Sequence, residues 1–533
     1  MAPFKVIIVG GSVAGMALAN MLERYGIDFI VLEKLSVIAP QLGASIAILP
    51  NGQRILQQLG CLDAATQQGG PSDTFSNYDD ETKNWIKTEG IGNMMMKIFG
   101  YKLWFLDRQQ LIQTLFDNLR DKSRVLTSCP VVKIEWSGTG VAVETADATV
   151  HHGDLVVGAD GIHSRVVQEM QRLGDIDTPG TDLLGRDKAI SCTYRCIFGI
   201  SKDTDGKVRT QFSRSYRHHR SYLFADGPKG RWYWFAFFKN DEKTHGLSIP
   251  RYTDEDKEKL AAMYKDDILQ PGLTFGDAYR DQIFSTLVPL EEGILKTCFY
   301  KRIVLTGDAW HKIHPLTGQG GNNAMVSGAY LANKLKELIS KDAVVKDAEL
   351  QAAFREYSRV RGQLVKQTMQ ASHAMQRMES FDTPVLKFIQ QKLVSKMPVD
   401  GILARFPPAF TTASSLKYIP LPSNPGTFPF DDEIKMKLGD RAMRWNIFWI
   451  SLLAINVWIH RTCFQYVGET QPQASHLSNP FLVSKFGEVF SWVFDEDQSW
   501  NDKFYYHSLI AATMSTICIE SYRQSFLLKA VSR

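Results

Sequence analysis

Cysteine is scarce and scattered: seven in 533 residues, at 61, 129, 192, 196, 298, 463 and 518, with no Cys-x-x-Cys pair. That excludes a disulfide scaffold and a zinc ribbon, and it fits a reducing compartment inside the cell. Charge of one sign is missing too, with 61 Lys and Arg against 57 Asp and Glu. No global field therefore favours nucleic acid as a partner. The chain opens directly on an apolar strand at residue 4, without the charged and apolar regions of a secretory signal. No internal repeat is visible. With 44% hydrophobic and 22% charged residues the composition is that of a globular protein, long enough for two to four packed units.

The first forty residues read as a βαβ unit. Phe4 to Val9 is a short apolar run rich in β-branched residues, suited to a buried parallel strand. Gly10-Gly11-Ser12-Val13-Ala14-Gly15 follows, then a helix to Tyr25 and a second strand from Asp28 to Leu32, closed by Glu33. A dinucleotide turn needs glycine for the tight bend (Gly10), a small residue where the pyrophosphate approaches (Ser12), and glycine where helix meets strand (Gly15). Glu33, eighteen residues after Gly15, can accept hydrogen bonds from both ribose hydroxyls. No second Gly-rich βαβ fingerprint exists for a separate nicotinamide domain.

Further apolar strands end in Asp160-Gly161 and in Gly307-Asp308, the latter leading into Pro315-Leu316-Thr317-Gly318-Gln319-Gly320-Gly321-Asn322-Asn323. These three ordered marks, spread over about residues 4 to 375, resemble the group A flavoprotein monooxygenases, the aromatic-hydroxylase-like family. The resemblance implies FAD as cofactor, NADPH or NADH as reductant and O2 as co-substrate. It implies that Asp308 binds the ribityl chain, that the loop ending in Gly321 faces the flavin's pyrimidine side, and that Arg108 opens a helix lying over the cofactor. Two departures stand out. Val167 occupies a place where arginine is usual, and Ser327-Gly328 stands where the family commonly has Asp-Ala.

Within the family the nearest likeness is to fungal monooxygenases that epoxidise the prenyl chains of meroterpenoids and indole diterpenes. It is carried by Gly43 to Gly52, by Tyr194-Arg195-Cys196-Ile197-Phe198-Gly199-Ile200 and by the C-terminal tail. Ala47 stands where a glycine commonly approaches FAD. Arg195 and Tyr216 match an Arg and a Tyr that related enzymes carry over the flavin; the alternatives are a cross-strand cation–π contact for Arg195 and ordinary sheet packing for Tyr216. The substrate implied is an apolar prenylated small molecule that gains an epoxide. Hydroxylation of an aromatic or polyketide substrate, or a geranylgeranyl-type flavin reduction, are the alternatives.

His311 and His314 are spaced as His-x-x-His but have no third ligand, so no metal is expected. Trp232-Tyr233-Trp234 reads as a core aromatic strand.

The expected fold is α/β. A Rossmann-type FAD-binding domain (1–185 and, with helices, 291–396) carries an inserted sheet-rich substrate domain (186–290). A Pro-rich linker (397–435) leads to a hydrophobic helical tail (436–533). Trp445 to Ile459 is uncharged for fifteen residues and Tyr505 to Ile519 is a second such stretch. Both fall short of the roughly 20 apolar residues of a spanning helix. Membrane attachment through the tail is the reading taken, with a buried helical hairpin as the alternative. Between 443 and 533 seven positive charges face seven negative ones, so any lipid contact there is hydrophobic.

Overall fold

A computed structural model describes residues 4–433, apart from 42, 44, 68, 204–210, 342–344, 397–402, 404–406 and 424–425. They belong to one compact unit, Met1–Glu433. The two uncharged stretches of the tail, and the membrane contact expected from them, lie outside the described residues. Among the described residues no helix is long and apolar enough to cross a membrane.

Two sheets organise the unit. The first has six strands in the order Phe299–Tyr300, Ile303–Leu305, Leu155–Gly158, Lys5–Val9, Asp28–Leu32, Val125–Leu126. All its pairings are parallel except that of the Phe299–Tyr300 edge. Val6, Ile7 and Ile8 are wholly buried, which is why the central strand reads as a continuous apolar run. The chain leaves Lys5–Val9 toward Asp28–Leu32 on one side and pairs with Leu155–Gly158 on the other. The carboxyl end of this strand is therefore the switch point where α/β sheets bind ligands. Helices Val13–Tyr25 and Gln319–Lys341 pack on it, with Leu18, Met21, Leu331 and Ala332 in the core.

The second sheet has eight strands, ordered His311–Lys312, Gln282–Ile294, Ile190–Lys202, Arg231–His245, Arg220–Asp226, Phe212–Arg217, Phe75–Asp79, Asn84–Thr88. The inserted segment supplies most of it. The hairpin Phe75–Thr88, placed by sequence in the first part of the FAD domain, completes one edge through a parallel pairing with Phe212–Arg217. Side chains alternate between two buried faces. Tyr194, Cys196, Phe212, Leu223, Tyr233 and Phe237 share one cluster with Ala47 and Leu316 of the FAD domain. Ile197, Tyr222, Phe224, Trp232, Trp234 and Phe238 share the other with the helices Asp254–Met263 and Phe275–Arg280. The Trp-Tyr-Trp run is thus core, as its composition suggests: the two indoles face outward and Tyr233 inward.

The Pro-rich segment is not a linker where it is described. Leu416 is wholly buried and Phe430 nearly so. Arg54, buried in the FAD domain, pairs with Asp432 at 2.8 Å and Glu433 at 3.0 Å and stacks over Phe430. Gln58 donates to Leu416 O and accepts from its N–H. Pro407 and Pro408 open the short helix Pro407–Thr411, a position proline tolerates, and the described part of the segment lies along the domain and covers it.

Candidate functional site

The site grows from the carboxyl ends of the parallel strands. Gly10 has φ +104°, and a Cβ on Gly15 would stand 1.9 Å from Gly10 O. The turn is therefore closed by backbone against backbone, which only glycine permits. Ser12 is the N-cap of the first helix, yet its side chain does not cap it. Instead its hydroxyl accepts a 2.5 Å hydrogen bond from Arg108 Nη2.

Glu33 is buried, and its carboxylate accepts from Gly11 N at 2.6 Å and Leu35 N at 2.9 Å. Those donors pin the acid beneath the turn and leave further lone pairs on both oxygens. Arg108 opens the helix Arg108–Asp117. Burial lowers its pKa, while the charges of Asp308 and Glu33 act in the opposite direction. One guanidinium and two carboxylates from distant parts of the sequence thus converge around the turn. Asp308 lies in the 3-10 turn Gly307–Ala309 and pairs with Lys312. Asp160 of the middle motif works on the backbone instead. It accepts from Ser164 Oγ and from the N–H groups of Arg165 and Val166, starting the helix Arg165–Asp177.

The late Gly-rich loop is held by Asn322, which lies within the late motif but to which the sequence alone assigns no role. Wholly buried, it donates to Ala47 O at 2.8 Å and to Gly318 O at 2.7 Å, and accepts from Leu49 N at 3.0 Å. This clasp sets Ala47 against Gly318 and Gly321 against Ile46. Gly320 has nothing within 4 Å of where a Cβ would be, so one side of the loop is open.

Arg195 and Tyr216 do not join this constellation. Arg195 pairs across the sheet with Phe238, an outer-face residue, and lies 6.0 Å from the Tyr252 ring centroid. Alternation along the strand sends Tyr194 and Cys196 toward the FAD domain and Arg195 away from it. The expectation that Arg195 lies over the flavin is corrected: it faces outward, and its ring contact is to Tyr252, just before the helix Asp254–Met263, rather than to a cross-strand residue. Tyr216 is on the inner face, but its hydroxyl donates to Asn77 Oδ1 at 2.7 Å. It sits beside the Arg214–Glu379 ion pair and Phe381. Burial, then the Glu379 charge, push its pKa up.

The inner face has further polar groups, of which the sequence singles out only His314, and that for its spacing from His311. His314 is wholly buried between the rings of Tyr194 and Phe237, at 5.9 and 5.5 Å. Its Nδ1 accepts from Leu316 N, so the ring proton sits on Nε2. Burial holds its pKa down at about 4. Tyr194 hydroxyl meets Ser380 Oγ at 3.0 Å, and His373 Nδ1 meets Glu292 at 3.2 Å. His311 lies apart from these, its Nε2 3.4 Å from Ser327 Oγ. His373, Glu292 and Ser380 share no local spacing with His314, so sequence could not bring them together.

Comparison with known proteins agrees with this geometry. A family profile described as FAD binding domain matches residues 3–182 and 227–372. The FAD-dependent monooxygenase asqG of Emericella nidulans is 37% identical over 462 residues, 85% of this chain and 81% of its own. The FAD-dependent monooxygenase ntnA of Nectria sp is 35% identical over 99% of this chain and 68% of its own. Among solved structures, HpxO of Klebsiella pneumoniae complexed with FAD and uric acid superposes with a TM-score of 0.62 at 19% identity, over 77% of this chain and 97% of its own. That last likeness is one of fold.

The chain belongs to the FAD-binding domain family and is an FAD-dependent monooxygenase. FAD is its cofactor, and NAD(P)H and O2 are the co-reactants general to such enzymes.

Proposed function

We propose that this monooxygenase transfers one oxygen atom of O2 to a carbon–carbon double bond of a prenylated small molecule, forming an epoxide in fungal secondary metabolism. The second oxygen atom leaves as water, with NAD(P)H supplying two electrons. The observation that carries the reading is the inner face of the eight-stranded sheet. Tyr194, Cys196, Phe212, Leu223, Tyr233 and Phe237 form an apolar, aromatic surface continuous with Ala47 and Leu316 of the cofactor loops. Such a surface holds a greasy chain and excludes water from the reacting carbon.

The residues present fit FAD. The Gly10–Gly15 turn brings backbone N–H groups to a helix N-terminus, where a diphosphate is stabilised. Glu33 takes the adenosine ribose, Asp308 the ribityl chain, and Arg108 covers the junction between them, its charge offsetting both carboxylates. Ser12, held by Arg108, substitutes for the usual glycine because its hydroxyl is turned away from the helix end. Ala47 and the loop through Gly321 border the flavin's pyrimidine end, on the open side of Gly320. Bound FAD supplies the oxygen chemistry; the chain supplies binding, orientation and a dry surface.

The test is incubation with prenylated polyketides and indole diterpenes under ¹⁸O2 with NADPH. One ¹⁸O atom in an epoxide of the prenyl chain supports the reading. Incorporation as a ring hydroxyl makes the enzyme an aromatic hydroxylase, and anaerobic reduction of the alkene makes it a reductase. We also hold to membrane contact through the tail, supported by its two uncharged, Trp-containing or apolar stretches.

A further inference from the structure

Arg361 is 1% exposed, deep in the helix Asp347–Glu379. Its guanidinium donates to Asn323 Oδ1 at 2.8 Å and to Ser327 Oγ at 3.2 Å, both on the helix Gln319–Lys341. Both acceptors are neutral. The ionisable groups that bear on it are Tyr357, Tyr330 and His311, and His311 is itself kept neutral by burial. Among the described residues no carboxylate pairs with it. A buried charge without a counter-ion is costly, so this one calls for a compensating negative charge.

The amides beside it show where that charge would come. Arginine can only donate, so Asn323 must turn its oxygen toward Arg361. Its Nδ2 is then directed at Gln319, donating to Oε1 at 2.9 Å. Asn51 Nδ2 donates to the same oxygen at 3.1 Å. With Oε1 filled from two sides, Gln319 is left with its Nε2 as a donor, and among the described residues it meets no acceptor. Gln319 lies between Gly318 and Gly320, on the loop that we place at the flavin. The guanidinium and two amides therefore form one oriented row of dipoles, its positive end at that loop.

We propose that Arg361 is a positioning residue that fixes Gln319 as a hydrogen-bond donor to the flavin's pyrimidine end and makes the flavin easier to reduce. The negative charge that this end gains on two-electron reduction is the compensation that the buried guanidinium lacks in the protein alone. The inference rests on the placement of the flavin argued above, and it is independent of the identity of the substrate.

The test is the flavin midpoint potential of purified holoenzyme, read spectroscopically against redox dyes, with flavin content and melting temperature of each variant. Ser327→Asp sets a carboxylate beside the guanidinium without removing it. We expect the two-electron reduction constant to fall about tenfold, which is about 30 mV for a two-electron couple. Arg361→Met should shift it in the same direction, and Arg361→Lys should recover most of the loss. Unchanged potentials in Ser327→Asp and Arg361→Met, with full flavin content, overturn the proposal. If Arg361→Met does not fold, Ser327→Asp alone decides. Gln319→Leu separates the role of Arg361 from the placement of the flavin. A shift there but not in the Arg361 and Ser327 variants keeps the flavin placement and removes the role of Arg361. No shift in any of them removes both.

Discussion

Arg108 Nη2 donates to Ser12 Oγ at 2.5 Å, joining the second turn-forming segment of the cofactor site to the first across 96 residues. The bond explains why a dinucleotide turn with serine at its middle position is compatible with FAD. The hydroxyl is drawn toward the guanidinium and neither caps the helix nor fills its mouth. Ser12→Gly should then cost only a few tenths of a kcal/mol of helix stability and leave FAD affinity near wild type. Arg108→Ala should weaken FAD by about 1.5–3 kcal/mol, the range for a lost hydrogen bond to a charged group. Fluorescence titration of apoprotein with FAD measures both. Equal losses in the two variants would mean that the serine, not the arginine, contacts the cofactor.

Glu33→Ala and Asp308→Ala should each purify with depleted flavin, again for a loss of about 1.5–3 kcal/mol per charged acceptor. Glu33→Ala should also lower the melting temperature of the apoprotein, because Gly11 N and Leu35 N lose a shared partner. Full yellow colour in both after extensive dialysis would remove these residues from the cofactor site.

Arg195 is expected to be dispensable for chemistry. Its guanidinium lies at Tyr252 on the outer face, so Arg195→Ala should cost about 1 kcal/mol of stability through lost packing and cation–π contact. The ratio of product to NADPH consumed should not change. Tyr216→Phe should loosen Asn77 and the edge hairpin instead. A rise in peroxide per NADPH with Arg195→Ala alone would return that residue to the flavin side.

The legible parts of this protein were those written in local sequence. The strand Lys5–Val9, its Gly-rich turn, Glu33 and the Gly307-Asp308 motif all follow from short-range needs: a buried parallel strand, a tight bend, an acid at a strand end. Which face of the second sheet Arg195 occupies is set by register and by a bulge between Cys192 and Tyr194, and neither is visible in a single strand's composition. The edge hairpin Phe75–Thr88 joins a sheet formed more than a hundred residues later, which no local pattern announces. Arg361 looks like any arginine on an amphipathic helix; only the packing of two long helices shows that it is buried. The prolines of 397–435 read as a linker because proline breaks helices, but proline is also tolerated in the first turn of one, and Pro407 and Pro408 open a helix there.

The two buried histidines give the unit a defined acid sensitivity. His311 and His314 are both held neutral, with pKa values pushed down to about 4 by burial, against about 6.5 in an unfolded chain. The unfolded chain therefore binds protons between these values and the folded chain does not. Stability is fully present above about pH 6.5 and falls as pH drops toward 4, by roughly 3 kcal/mol per histidine. Urea denaturation at pH 7 and pH 5 should show the loss. His314→Phe should flatten it by about half, and an unchanged slope would mean that His314 becomes protonated in the folded protein.

The compact unit ends at Glu433. Asp432 and Glu433 are the partners of Arg54, and Phe430 fills the space over its guanidinium. A chain ending after Glu433 keeps these contacts, every cofactor residue and the whole compact unit, and it should fold, bind FAD and melt as the full chain does. A chain ending at 425 should not. It leaves a buried arginine without either carboxylate, a loss of about 3–5 kcal/mol, and should melt well below the longer version. If the tail serves attachment, the full chain will pellet with microsomal membranes and stay there in high salt, because its contact is apolar. The chain ending after Glu433 will remain in the supernatant with its flavin. Should both remain in the supernatant, the tail does not hold the enzyme to a membrane. Should the chain ending after Glu433 aggregate and lose FAD, residues beyond it are part of the fold.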